Sequence, residues 1–87
     1  MSNFLEVEIV TPQKVLFNGK ASSVTVPGSK SPFQILVNHA PIVSSLSNGT
    51  VKIVDEAGKE TAYSTTAGFV ELQKNKVSIL VESATVK

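Results

Sequence analysis

At 87 residues, with a formal charge of +1 and eight lysines but no arginine, the chain is one small domain at most. A single histidine, with no cysteine and no tryptophan, leaves most catalytic and metal-binding chemistries without their side chains and removes disulfides as support for the core. No stretch approaches the roughly 20 apolar residues that span a bilayer, and no arginine-bearing basic stripe with stacked aromatics marks a nucleic-acid binder. Chains this short bury only roughly 60–65% of their unfolded surface, so modest stability is expected. The opening Met1-Ser2-Asn3 lacks the basic and apolar regions of a secretory signal, and the expectation is a soluble cytoplasmic domain.

The elements read as strands from end to end. Residues 4–10 alternate, with Leu5, Val7 and Ile9 on one side and Glu6 and Glu8 on the other, the period of a half-buried strand. Pro12 interrupts it, having no amide to donate and disfavouring helical angles at Thr11. A strand resumes over 14–17, and Asn18-Gly19, both tolerant of positive φ, predicts a tight turn. The next strand, over 22–26, points Val24 and Val26 one way; Pro27-Gly28 closes it and leads into the polar turn Ser29-Lys30-Ser31-Pro32.

Residues 33–37 are nearly continuous in apolar content and predict a short strand buried on both faces. After the bend at Asn38-His39-Ala40-Pro41, a strand over 42–46 reaches the turn Ser47-Asn48-Gly49. Strands over 50–54 and 60–65 flank the hairpin connection Glu56-Ala57-Gly58-Lys59. Ala67-Gly68 signals a close backbone approach before a strand over 69–72. Gln73-Lys74-Asn75-Lys76 turns the chain into an alternating strand over 77–81. The spacing predicts an all-β fold, a small flattened β-sandwich or barrel of about eight to ten strands, as one domain over 1–87. No run has a helical period.

His39 is the natural candidate for acid–base work, because its unperturbed pKa lies near neutrality. A nucleophile would have to come from Ser44, Ser45, Thr11 or another hydroxyl, and no glycine elbow surrounds any serine. The more ordinary reading is that His39 bonds the backbone at a sharp bend, or meets a partner. One histidine cannot build a zinc site, and Glu6 with Glu8 more often keeps an outer strand face wet than holds calcium. Pro32, Phe33, Ile35, Leu36, Pro41, Ile42 and Val43 gather apolar material around one bend, most of it core and the rest able to dock a partner. Among the aromatics Phe4, Phe17, Phe33, Tyr63 and Phe69, only Tyr63 has neighbours polar enough to predict exposure.

The order of segments resembles a known family. Glu8-Ile9-Val10-Thr11-Pro12 is followed by Leu16-Phe17-Asn18-Gly19, Val24-Thr25-Val26-Pro27-Gly28, the bend Asn38-His39-Ala40-Pro41-Ile42-Val43, and Gly68-Phe69-Val70-Glu71-Leu72. This arrangement is similar to the N-terminal β-sandwich of the epsilon subunit of bacterial F-type ATP synthase, the delta subunit of mitochondria. The similarity runs from residue 4 to about 84. His-Ala-Pro alone is a weak tripeptide; in this order it is specific.

The resemblance implies a noncatalytic central-stalk subunit, without a cofactor or small-molecule substrate of its own. It would bind the gamma subunit and rest on the c-ring, peripheral to the membrane on the cytoplasmic face of the bacterial inner membrane. It also implies gamma-facing contacts at Thr11, His39, Ala40, Pro41 and Ser44, and ring-facing contacts at Lys30, Ser31 and Pro32. Two departures stand out. The C-terminal helical hairpin of many relatives has no counterpart before Lys87, leaving a natural short form or one domain of a longer protein. Where many relatives carry Gly-Glu-Leu-Gly, this chain has Ser31-Pro32-Phe33-Gln34, which removes the ring-facing glutamate. The other readings are a free-standing β-sandwich binding module for a carbohydrate or protein ligand, and a minimal hydrolase built on His39.

Overall fold

Apolar side chains at alternate positions decide which face of each segment is buried, and the strands follow. The computed structural model describes residues 3–87; Met1 and Ser2, read above for a leader, lie outside them. The strands are β1 (Leu5–Val10), β2 (Val15–Val26), β3 (Phe33–Leu36), β4 (Ile42–Leu46), β5 (Gly49–Asp55), β6 (Glu60–Thr65), β7 (Gly68–Gln73), β8 (Lys76–Val81) and β9 (Ala84–Val86). Hydrogen-bonded neighbours run β4-β7-β8-β1-β2-β5-β6-β9, and β3 also pairs with β2. Every pair is antiparallel except β1 with β8, which run parallel with Val7 opposite Val77.

Strand β2 joins the two layers of the sandwich. Its first half pairs with β1, from Val15 opposite Val10 to Ala21 opposite Leu5. Its second half lies between β3 and β5, where Val24 faces Ile35 on one side and Ile53 on the other. Register shifts at Ile9/Val10 and at Ala21/Ser23 supply the bends that let one long strand serve both layers. Leu5, Val7, Ile9, Val24, Val26, Ile35, Val51, Ile53, Val70, Leu72, Val77 and Ile79 fill the space between the layers and are fully buried. Phe17 of β2 meets Tyr63 of β6 edge to face, ring centroids 6.3 Å apart, a favourable aromatic geometry.

The edge strand β4 is closed against the segment after β2. Gly28 bridges Leu46, the Ser29 amide donates to Ser45 O at 3.1 Å, and the Ser47 amide donates to Pro27 O at 2.8 Å. An edge tied in this way offers fewer unpaired backbone groups to other chains.

Four sequence expectations are corrected. Asn18-Gly19 is not a turn: Asn18 opposes Glu8 and Gly19 opposes Val7, so cross-strand pairing outweighs local turn preference. The predicted strands over 14–17 and 22–26 are therefore one. The real turn is Thr11-Pro12-Gln13-Lys14, closed by the Thr11 amide donating to Lys14 O at 2.9 Å. Strand β3 buries one face only, Ile35 pointing inward while Leu36 stays 49% exposed. Tyr63 is buried against Phe17, and Thr65, two residues on along the same face of β6, is buried with it. The short β9, opposite Tyr63 to Thr65 of β6, has no counterpart among the predicted strands.

Candidate partner-binding surfaces

The bend that holds the histidine is built from backbone geometry. Asn38 takes φ = 65°, a conformation asparagine tolerates better than most residues. Its amide donates to Asn75 Oδ1 at 2.6 Å, and Asn75 Nδ2 donates back to Asn38 Oδ1 at 3.1 Å. Asn75 itself sits in the β7–β8 turn, where Lys74 and Asn75 both have positive φ, as a two-residue hairpin loop requires. The Asn75 carbonyl accepts from the Glu6 amide at 2.8 Å, so the bend is anchored to β1 through one residue.

His39 is exposed on this anchored bend. Its amide donates to Leu36 O at 3.2 Å, and its Nδ1 lies 3.0 Å from Ala40 O. A carbonyl can only accept, so Nδ1 carries the proton in this contact. That is the backbone-bonding arrangement expected of a bend histidine. Ala40 and Pro41 are exposed beside it.

Ser44 lies on β4, on the side shared with Ile42 and Leu46. It is half-buried, and its Oγ donates to Ser45 O at 3.1 Å. Thr11 stands apart. It is 8% exposed, and its Oγ1 donates to Lys14 O at 3.1 Å and accepts from the Lys14 amide at 3.3 Å. The threonine is thus the clasp of the β1–β2 turn, and its side chain presents little surface. The β4–β7–β8–β1 register puts His39 to Pro41 near the start of β4 and Thr11 past the far end of β1, roughly a strand length away.

Lys30, Ser31 and Pro32 are exposed in the turn between β2 and β3. The closure of β4 brings that turn against β4 itself: Ser45 Oγ donates to Ser29 Oγ at 2.9 Å. A groove of about 450 Å³ runs between Lys30, Ser31 and Phe33 on one wall and Val43, Ser44 and Ser45 on the other. Gly28 is required at its base, since a Cβ there would lie 2.6 Å from Ser31 O and 2.8 Å from the Phe33 ring. The structure therefore places Ser44 on one wall of a groove whose other wall holds Lys30 and Ser31, and leaves Thr11 outside it.

The sequence reading did not single out an apolar row on the outer face of β7, β8, β1 and the start of β2. Phe69 of β7 opposes Leu80 of β8, Leu80 opposes Val10 of β1, and Val10 opposes Val15 of β2. Phe69, Leu80 and Val15 are 58%, 47% and 54% exposed, and Val43 on β4 reaches 77%. A signal was present in the alternation: with Val70, Leu72, Val77 and Ile79 inward, Phe69 and Leu80 fall on the outer face.

Among the described residues no group of three or more His, Asp or Glu side chains is placed to hold a metal ion. No helix among them is long and apolar enough to cross a membrane.

Comparison with known proteins agrees with the architecture. The ATP synthase epsilon chain of Desulfatibacillum aliphaticivorans is 40% identical over 84 residues, covering 97% of this chain and 60% of that protein. The epsilon chain of Leptospira interrogans is 40% identical over 86 residues, covering 99% of this chain and 67% of its own. The chain thus spans about three fifths to two thirds of the length of these relatives. Among solved structures, a chain of the Euglena gracilis mitochondrial ATP synthase superposes with a TM-score of 0.93 at 17% identity, over 99% of this chain and 55% of that one. A chain of the Tetrahymena thermophila mitochondrial ATP synthase central stalk and c-ring gives 0.78 at 22% identity, over 93% and 65%. These two likenesses bear on the fold. The matching family, described as the ATP synthase delta/epsilon chain β-sandwich domain, covers residues 4–87, and the chain belongs to that family.

Proposed function

We propose that this domain is a noncatalytic coupling piece of a rotor, carrying torque between the c-ring and the gamma subunit of a proton-translocating ATP synthase. The observation that carries the reading is the single groove that Ser44 and Ser45 of β4 share with Lys30 and Ser31 of the turn, closed by the Ser45–Ser29 hydrogen bond. A contact to gamma along β4 and a contact to the ring at the turn would then be separated by one serine pair and one backbone bridge. Load crossing so short a path meets a close-packed interior that deforms little. Family membership and the names of the relatives support the same assignment. The complex would lie at the cytoplasmic face of a bacterial inner membrane, with this domain peripheral to the bilayer.

Within this reading the gamma contact is carried by His39, Ala40, Pro41 and Ser44. Thr11 contributes by shaping the β1–β2 turn, whose exposed members are Pro12, Gln13 and Lys14. Lys30, Ser31 and Pro32 face the ring. With Pro32 in place of a carboxylate, that contact depends on the lysine and the surrounding hydroxyls.

The test is Ser44→Arg, with the exposed neighbour Ser45→Arg as a second variant should the first disturb folding. Both are expected to lose co-purification with gamma while keeping the thermal unfolding transition of the isolated domain. Unchanged recovery of gamma with both folded variants would reject the β4 contact.

A further inference from the structure

The groove between the β2–β3 turn and β4 is rich in hydrogen-bond donors and has no acid on its walls. Lys30 is its one charged residue, and Ser29, Ser31, Ser44 and Ser45 supply hydroxyls from both sides. Among the described residues the Lys30 ammonium has no carboxylate partner, the ion pair being Lys52 with Glu60. The acid on the strand beside β4, Glu71 of β7, opposes Val43 and lines a different groove with Pro41 and Gln73.

Much of this donor capacity is unspent. Ser45 Oγ gives its proton to Ser29 Oγ at 2.9 Å, and Ser44 Oγ gives its own to Ser45 O at 3.1 Å. The hydroxyl protons of Ser29 and Ser31 go to no acceptor among the described residues. The Ser29 amide is used on Ser45 O, whereas the Lys30 and Ser31 amides that follow it make no bond among those residues. Successive free amides in a turn form a concave surface suited to anions. The Gly28–Leu46 bridge and the Ser29–Ser45 bonds hold the two walls together, so the donors are in place before a ligand arrives.

We propose that this groove binds a phosphate group, free or as the monoester of a small organic molecule. A dianion suits a lysine set among hydroxyls and free amides with no competing carboxylate, because hydrogen bonds to an ionised acceptor are about twice as strong as neutral ones. Tetrahedral oxygens suit donors on two facing walls, whereas a planar carboxylate holds both its oxygens in one plane. At about 450 Å³ the groove has the size of small-ligand sites, about 300–1,000 Å³. Phe33 and Val43 add apolar surface for the carbon part of an ester. Binding here requires neither gamma nor the ring, so the site stands whether or not the rotor reading does. A bound phosphate would neutralise Lys30 and join the turn to β4.

The test follows amide shifts of this chain during titration with inorganic phosphate, glycerol phosphate and acetate, sodium chloride holding the ionic strength constant. At about pH 8, where phosphate is a dianion, phosphate and its ester are expected to give saturable shifts at Lys30, Ser31, Ser44 and Ser45. Their binding should be about tenfold tighter than that of acetate. Tighter binding of the ester assigns the site to an organic phosphate, and tighter binding of the ion assigns it to free phosphate. Lys30→Gln, at an exposed position, should weaken binding about tenfold, and Ser31→Ala by a smaller factor. Lys14→Gln, which removes an exposed lysine from the β1–β2 turn, should leave binding unchanged. Thermal unfolding checks that each variant is folded. Shifts spread over every lysine-bearing turn, shifts that never saturate, or equal affinity for acetate would overturn the inference. So would undiminished binding by the folded Lys30→Gln protein.

Discussion

Replacing Gly68 by alanine is expected to be among the most damaging single changes in the molecule, for a reason of space rather than of backbone preference. A Cβ at this position would fall 2.0 Å from the Leu80 carbonyl oxygen and 3.0 Å from both Leu80 C and Val81 Cα. Carbon–oxygen contacts normally stand at about 3.3 Å or more, so β7 must withdraw by about an ångström. Gly68 opposes Val81 on one side and Leu46 on the other, and both pairings would be strained. Overpacking strain together with weakened ladder bonds amounts to about 2–4 kcal/mol. For a domain of this size that corresponds to a fall in Tm of roughly 10–25 °C, read by thermal unfolding followed by circular dichroism.

Gly58→Ala is the control. Gly58 has φ = +86° with nothing within 4 Å of a Cβ, so its cost is conformational alone, about 1–2 kcal/mol. A Gly68→Ala protein within about 0.5 kcal/mol of the parent would refute the steric argument. So would equal losses in the two variants.

Two further outcomes follow from the hydrogen bonds at the candidate surfaces. Thr11→Ala should lose about 1 kcal/mol, measured by urea unfolding, because the turn keeps its backbone bond but loses both Oγ1 contacts with Lys14; Thr11→Ser should recover most of it. Asn75→Ala removes both bonds to Asn38 and a residue suited to φ = 64°, so amide exchange should accelerate at Asn38 and His39 while core strands keep their protection. Unchanged exchange at the bend would mean that Asn75 does not anchor it.

The all-β architecture was legible because its signals are local. Leu5, Val7 and Ile9 alternate with acids, Val51 and Ile53 flank Lys52, and Gly58, Lys74 and Asn75 sit where hairpin loops require positive φ. What stayed hidden was set by partners distant in the chain. Asn18-Gly19 carries a turn signal, yet β1 holds both residues extended. Tyr63 looks solvated in sequence, but Phe17 of another strand covers it.

The surfaces divide in the same way. Nothing in the chain near Ser45 reveals that Ser29 lies across from it, because the Gly28–Leu46 bridge makes that closure. The row through Phe69 and Leu80 needs the β7–β8 and β1–β8 registers before it becomes continuous. Each residue alone passes as an ordinary strand member.

The parallel partnership of β1 and β8 has a consequence for how the molecule comes into being. Glu8 meets Ser78 across 70 positions of chain, so the first strand leaves the ribosome long before its neighbour exists. Until then β1 can pair only with β2, and the backbone amides and carbonyls of its other edge wait unpaired. Non-local pairing of this kind is slow to nucleate and vulnerable to sticking while incomplete. Polypeptides released before β8 has emerged would therefore depend on chaperones, and completion of the sandwich is a late, all-at-once event in the life of each copy.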